Sequence, residues 1–147
     1  MIVLMTGATA GFGEAMTRRF VKEGHRVIAT GRREDRLAAL KSDLGSGVYT
    51  LALDVRSREA VAQAIVSLPS DWSEIDVLVN NAGLAAGVNV TQIADLDDWD
   101  AMVDTNIKGL LYMTRAVLPG MVARNRGHIV NIGSTAGSYA YAGGNVY

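Results

Sequence analysis

Cysteine is absent from the 147 residues and histidine occurs only twice, so the chain can build neither a disulfide scaffold nor a thiolate metal site. His25 and His128 stand too far apart in sequence to suggest a metal-ligand motif, and no metal is expected. A dominant charge is lacking as well. The 14 basic and 15 acidic side chains leave a formal net charge of -1, which offers no electrostatic footprint for nucleic acid or an anionic membrane. Long apolar runs are also missing: the opening run ends at Met5, short of the roughly 7–15 residues of a signal-peptide core. The uncharged stretch from Val77 to Ala94 contains Asn80, Asn81, Asn89, Thr91 and Gln92, which a bilayer core would reject. A soluble protein of the cytoplasm is the expectation, because a chain without disulfides loses nothing there.

Hydrophobic residues make up 49% of the chain, too many for a disordered segment, and the length suits one domain over residues 1–147. Short apolar runs alternate with stretches of helical period, a pattern that predicts an α/β domain with a parallel sheet. The predicted strands are Ile2–Met5, Arg26–Thr30, Val48–Leu53, Asp76–Val79 and His128–Ile132. Their Val, Ile and Leu residues occupy both alternating sets of positions, as in strands covered by helices on both faces. Helices are predicted over about Phe12–Lys22, Glu34–Leu44, Arg58–Leu68 and Asp98–Leu118, each gap being long enough for a right-handed crossover.

Directly after the first strand comes Thr6-Gly7-Ala8-Thr9-Ala10-Gly11-Phe12-Gly13, followed at once by an amphipathic helix. Glycines in this place let the backbone turn tightly and approach a phosphate, which then meets the free N–H groups and positive dipole of the helix start. The bland alternative is a tight strand-to-helix turn with no ligand. About 20 residues further on, where an NAD-binding domain carries an acid for the ribose hydroxyl, the second strand ends in Gly31-Arg32-Arg33. Two guanidiniums there can grip a 2′-phosphate, which favours NADP over NAD. Otherwise Arg32 and Arg33 would merely solvate the second helix beside Glu34 and Asp35.

Later segments add polar residues at strand ends. Asp54 closes the third strand, where it could cap the turn before Ser57. Asn80 and Asn81 follow the fourth strand, where amides can satisfy open backbone groups. Asn106 falls within an apolar stripe formed by Trp99, Met102, Val103, Leu110, Met113 and Val117. An amide in that stripe must find partners or weaken helix docking by about 1–3 kcal/mol. Ser134, Thr135 and Ser138 follow the fifth strand at the edge where doubly wound sheets bind ligands, and Tyr139, Tyr141 and Tyr147 come after them.

Taken in order, Thr6-Gly7-x-x-x-Gly11-x-Gly13, Asp54-Val55, Asn80-Asn81-Ala82-Gly83, Asn106, Ser134 and Tyr147 resemble the signatures of the short-chain dehydrogenases/reductases in their compact form. The resemblance covers the whole chain, and its wording is nearest the NADP-dependent 3-hydroxy acid (serine-type) members. It implies a Rossmann-type doubly wound parallel sheet in three α/β/α layers, and hydride transfer between NADP(H) and a small alcohol or carbonyl substrate, such as serine or a related hydroxy acid or aldehyde. It assigns the loop Gly7–Gly13 to the cofactor, Asp54 and Val55 to its adenine, and Asn81, Ala82 and Gly83 to its ribose. Asn106 would hold a water in the proton path, Ser134 would bond the substrate oxygen, and Tyr147 would be the catalytic acid or base beside the cofactor. A homotetramer paired through the fourth and fifth helices is also implied.

In the family a Lys follows the Tyr by four positions, and the fifth helix, two further strands and a substrate lid come later. The sequence stops at Tyr147, so the expectation is a fragment of a longer enzyme, with one sheet face partly bare. Two other functions compete. A non-catalytic NADP(H)-binding or redox-sensing module needs no Lys, and a sugar-nucleotide epimerase shares the fold, although its glycines usually run T-G-x-x-G-x-x-G.

Overall fold

The computed structural model describes residues 1–147. Strand β1 (Ile2–Met5) lies at the centre of a five-stranded parallel sheet and is buried along its whole length. Its neighbours are β2 (Arg26–Gly31) on one side and β4 (Val77–Asn80) on the other, with β3 (Val48–Ala52) and β5 (His128–Asn131) at the edges. The order is β3-β2-β1-β4-β5, with Val3 level with both Val27 and Val77, and Val77 level with His128.

Successive side chains of a strand point to opposite faces, and the two faces hold separate cores. Val3, Met5, Val27, Ala29 and Val79 share one core with Leu37 and Leu40 of α2 (Glu34–Leu44), against which Met16 and Phe20 of α1 (Gly11–Lys22) pack. Leu4, Ile28 and Leu78 share the other with Val61 of α3 (Arg58–Val66), Trp72, Met113 and Val117. The three-layer doubly wound fold expected from the sequence is therefore present. Coverage of every strand on both faces is not: at the β5 edge Ile129 and Val130 are only half-buried.

The helix expected over Asp98–Leu118 needs correction. It begins earlier, with α4 (Leu96–Met102), because the Asp95 carboxylate accepts from the Asp97 N–H at 2.9 Å and caps the first turn. Val103–Gly109 then winds as a π-helix, and α5 (Leu110–Ala123) continues through Pro119. The proline is tolerated because it and Arg115, whose carbonyl loses its helical partner, lie on the exposed side where water replaces the bond. The chain runs β1→β2→β3 outward in one direction, then returns to β4 and β5 on the other side. The crevice between the carboxyl ends of β1 and β4 is therefore the switch point of the sheet.

Candidate active site at the sheet switch point

Thr6, the residue after β1, joins the glycine loop to the end of β4. Its Oγ1 accepts from the N–H groups of Asn81 and Ala82, both at 2.9 Å. Asn81 answers with its own amide, donating to the carbonyls of Thr6 at 2.9 Å and Gly7 at 3.3 Å. Gly7 sits at a φ of 66°, and a Cβ on Gly13 would run into the Gly7 carbonyl. The loop thus folds back on the first turn of α1, an approach that only glycine permits. Ala10, at the N-cap of α1, supplies no side-chain acceptor, so the first N–H groups of the helix are free to meet an anion.

Beside this loop stand three arginines. Arg33 donates from Nε and Nη2 to the buried Thr9 hydroxyl at 3.2 and 2.9 Å, and Arg36 reaches the Thr9 carbonyl at 3.4 Å. Arg32 is exposed. Neither Arg32 nor Arg33 is ion-paired with Glu34 or Asp35. Arg36 was not singled out by the sequence; a third cation one helical turn past Arg33 was its only signal.

Asp54 takes up the capping role open to it in the sequence. Its Oδ1 accepts from the Arg56 N–H at 3.0 Å, its backbone carbonyl accepts from Ser57 at 3.2 Å, and the Arg56 guanidinium grips the carboxylate at 2.6 to 3.0 Å. That guanidinium holds the Asp54 carboxyl below its ordinary range. Arg56 is a further residue the sequence did not reveal. Val55, next in line, is buried in the core.

Asn80 is buried, and its amide nitrogen donates to Thr114 Oγ1 at 3.0 Å and to Asn131 Oδ1 at 2.9 Å, fastening the ends of β4 and β5 to α5. Asn106 lies within the π-helical segment, as an amide in an apolar stripe requires partners. Its Oδ1 accepts from the Leu84 N–H at 2.9 Å and its Nδ2 donates to the Leu84 carbonyl at 2.8 Å. The pair of bonds pins the start of the β4–α4 loop to the helix, beside Gly83.

These segments enclose a cleft of about 1040 Å³. Gly7, Thr9, Ala10, Phe12, Arg32, Arg33, Asp54, Val55, Asn81–Gly83, Asn106, Ser134 and Tyr147 are among the residues that line it. Ala8, Gly11 and Gly13 do not line it: Ala8 is part of the core and Gly13 is buried where the loop meets the helix. Of the competing hydroxyls and phenols, Thr135, Ser138, Tyr139 and Tyr141 are not among the lining residues, whereas Ser134 and Tyr147 are. The Ser134 hydroxyl accepts from the Ala136 N–H at 3.1 Å, which leaves its proton for another partner.

A doubly wound parallel sheet, a glycine turn leading into an uncapped helix at its switch point and an extended cleft define a dinucleotide-binding α/β protein. The chain belongs to the short chain dehydrogenase family, whose model matches residues 1–147. It is 67% identical over 147 residues to an NADP-dependent 3-hydroxy acid dehydrogenase of Salmonella typhi, covering 100% of this chain and 59% of that relative. Identity is 50% over 145 residues to a serine 3-dehydrogenase of Rhizobium radiobacter, covering 99% of this chain and 58% of the relative. Among solved structures, the closed form of a serine dehydrogenase complexed with NADP+ superimposes with a TM-score of 0.99 at 65% identity, covering 100% of this chain and 59% of that one. The chain thus spans less than two thirds of the length of the relatives it matches.

Proposed function

We propose that the chain is a single nucleotide-binding domain, residues 1–147, of an NADP-dependent oxidoreductase. The reaction moves a hydride between the nicotinamide and a small alcohol or carbonyl substrate, a 3-hydroxy acid such as serine or a related aldehyde. The observation that carries this reading is the convergence of Arg32, Asp54, Asn81, Asn106, Ser134 and Tyr147, from six separate segments, on one cleft. Two features suit the cofactor. The first turn of α1 has no side-chain cap on its N–H groups, and the cleft exceeds the roughly 300–1,000 Å³ of a pocket for a drug-sized ligand. The names of the relatives support the same cofactor and substrate class.

Bound NADP would supply the hydride donor or acceptor at its nicotinamide ring. The free N–H groups of the loop and of α1 would hold the pyrophosphate, and Arg32 and Arg33 the 2′-phosphate. Asp54 and Val55 would face the adenine, and Asn81, Ala82 and Gly83 the ribose. Ser134 donates its hydroxyl proton to the substrate oxygen. Tyr147 delivers or removes the proton at that oxygen; neighbouring positive charge is what favours a phenolate and lets a phenol act as a base. Asn106 would hold a water in the proton path through the polar groups not committed to Leu84.

The test follows NADPH oxidation with small carbonyl acids and NADP+ reduction with serine, in the full chain and in Tyr147→Phe. Tyr147→Phe is expected to abolish turnover while leaving NADP affinity nearly intact, and Ser134→Ala to lose less. Near-normal turnover in Tyr147→Phe would overturn the assignment. Two finer readings belong here. No helix is long and apolar enough to cross a membrane, and the cytoplasm is the compartment we assign. The other is a homotetramer, for which one contact between copies would be the stripe of Ile107, Leu111, Leu118 and Val122 along the π segment and α5, which are 40 to 67% exposed.

A further inference from the structure

Asn145, two residues before Tyr147, commits both ends of its amide to other segments. Its Oδ1 accepts from the indole Nε1 of Trp99 on α4 at 2.9 Å, and its Nδ2 donates to the Asn89 carbonyl in the β4–α4 loop at 3.1 Å. These are the only side-chain hydrogen bonds made by residues 139–147. A second contact docks the same stretch independently. Gly143 adopts a φ of 81°, and a Cβ there would lie 2.9 Å from the Val88 carbonyl carbon and 3.3 Å from its Cα. The Gly144 N–H donates to the Tyr141 carbonyl at 3.1 Å, so a turn delivers Asn145 to its partners.

Tyr147 is 40% exposed and its phenol forms no hydrogen bond of its own. The place where that phenol enters the cleft is therefore set by the backbone leading to it, which is anchored at Gly143 and Asn145. We infer that Asn145 is a positioning residue for Tyr147, clasping its segment to Asn89 and Trp99 so that the phenol faces Ser134 and Asn106 across the cleft. The inference rests on the reading of Tyr147 as the proton-transferring group. Such a clasp bears on rate more than on cofactor binding, since Arg32 and Arg33 follow β2, across the central strand from β4 and β5, whereas Asn145 is bonded to the β4–α4 loop and α4. A misplacement of about 1 Å at a reacting group can lower a rate by about a hundredfold.

The experiment compares kcat, KM and NADP affinity in the full chain for Asn145→Ala, Asn145→Asp, Trp99→Phe, Gly143→Ala and Tyr147→Phe. Asn145→Ala is expected to lower kcat by about ten- to a hundredfold while NADP affinity stays within about twofold. Asn145→Asp keeps the acceptor for Trp99 but sets a carboxylate against the Asn89 carbonyl, so it should lose kcat as Asn145→Ala does, and full activity in it would overturn the bond to Asn89 as part of the clasp. Trp99→Phe removes the indole donor but keeps a ring, so it should lose less, and the double variant should be no slower than Asn145→Ala alone. Gly143→Ala, acting through Val88, should give the same separation of kcat from cofactor affinity. An unchanged kcat in Asn145→Ala beside an inactive Tyr147→Phe would overturn the clasp. Equal losses of kcat and NADP affinity would overturn it too, as the mark of general unfolding. If Asn145→Ala does not fold, Trp99→Phe and Gly143→Ala decide by the same criteria. An active Tyr147→Phe would instead remove the reading on which the clasp depends.

Discussion

Arg33 and Arg32 are adjacent in sequence but differ in their surroundings. Arg33 is already oriented by the Thr9 hydroxyl, while Arg32 has no protein partner and is free to turn toward an anion. A neutral hydroxyl orients a guanidinium without satisfying its charge, so the Arg33 charge remains available to a phosphate. Each charge-assisted phosphate bond is worth about 1.5–3 kcal/mol. Changing Arg32 and Arg33 together to Ala should therefore weaken NADP binding by at least tenfold and NAD binding far less. Calorimetric titration with both cofactors checks this, and equal weakening of the two would contradict a 2′-phosphate site. The arginine pair itself was legible in the sequence, because it stood where an acidic residue was missing. Arg36 and Arg56 were not, since surface arginines are common and only their contacts with Thr9 and Asp54 distinguish them.

Asp76 shows how one side chain joins elements. Its carboxylate accepts from the Ile2 N–H at 2.8 Å and from Arg126 at 2.6 Å, tying the start of β4 to the start of β1 and to the turn before β5. Burial pushes its carboxyl up, but the Ile2 N–H and the Arg126 charge outweigh burial and hold it below the ordinary value. The sign follows: this stabilisation is complete above the usual carboxylate range and disappears as pH falls through the lower folded value. Asp76→Asn should cost about 1–3 kcal/mol near neutrality, with the gap from the parent protein closing as pH falls below the usual carboxylate range. Urea midpoints across pH measure it; a gap independent of pH would show that charge is not involved. The π-helical turn offers a second test. Asn106→Asp keeps the bond from the Leu84 N–H but faces the Leu84 carbonyl with a carboxylate, and should destabilise by about 1–3 kcal/mol. Hydrogen exchange at residues 83–86 should rise first if this bond pins the loop. Apolar spacing in the sequence gave the helix but not its π turn, because a single widened turn barely changes the stripe. The Asn145–Trp99 bond left no trace either, since it joins residues 46 apart.

Across the whole molecule, the sheet was legible because its strands are apolar on both alternating sets of positions, and the glycine loop because strand, turn and helix follow in order. The edges were less so: the half-buried faces of β5 depend on what packs there, which strand composition does not encode. The same reasoning bears on assembly. Ile107, Leu111, Leu118 and Val122 recur at spacings of four, seven and four, which on a helix brings them within one narrow stripe. The adjoining side of the same helix, roughly 110° round at about 100° per residue, already sits in the core through Met113, Val117 and Met121, so α5 has a second apolar face beyond the one it packs on the sheet. With a net charge of only -1, little long-range repulsion opposes association. In the full chain, Leu111→Asp combined with Val122→Asp should place two carboxylates in that stripe and shift the sedimenting species toward monomer, without loss of the sheet's far-ultraviolet dichroism. The control is Arg115→Asp, which changes charge beside the stripe without removing an apolar side chain and should leave the assembly largely intact. Dissociation by both would mean that charge, not the apolar stripe, governs contact; no dissociation by the double variant would move the interface to another face.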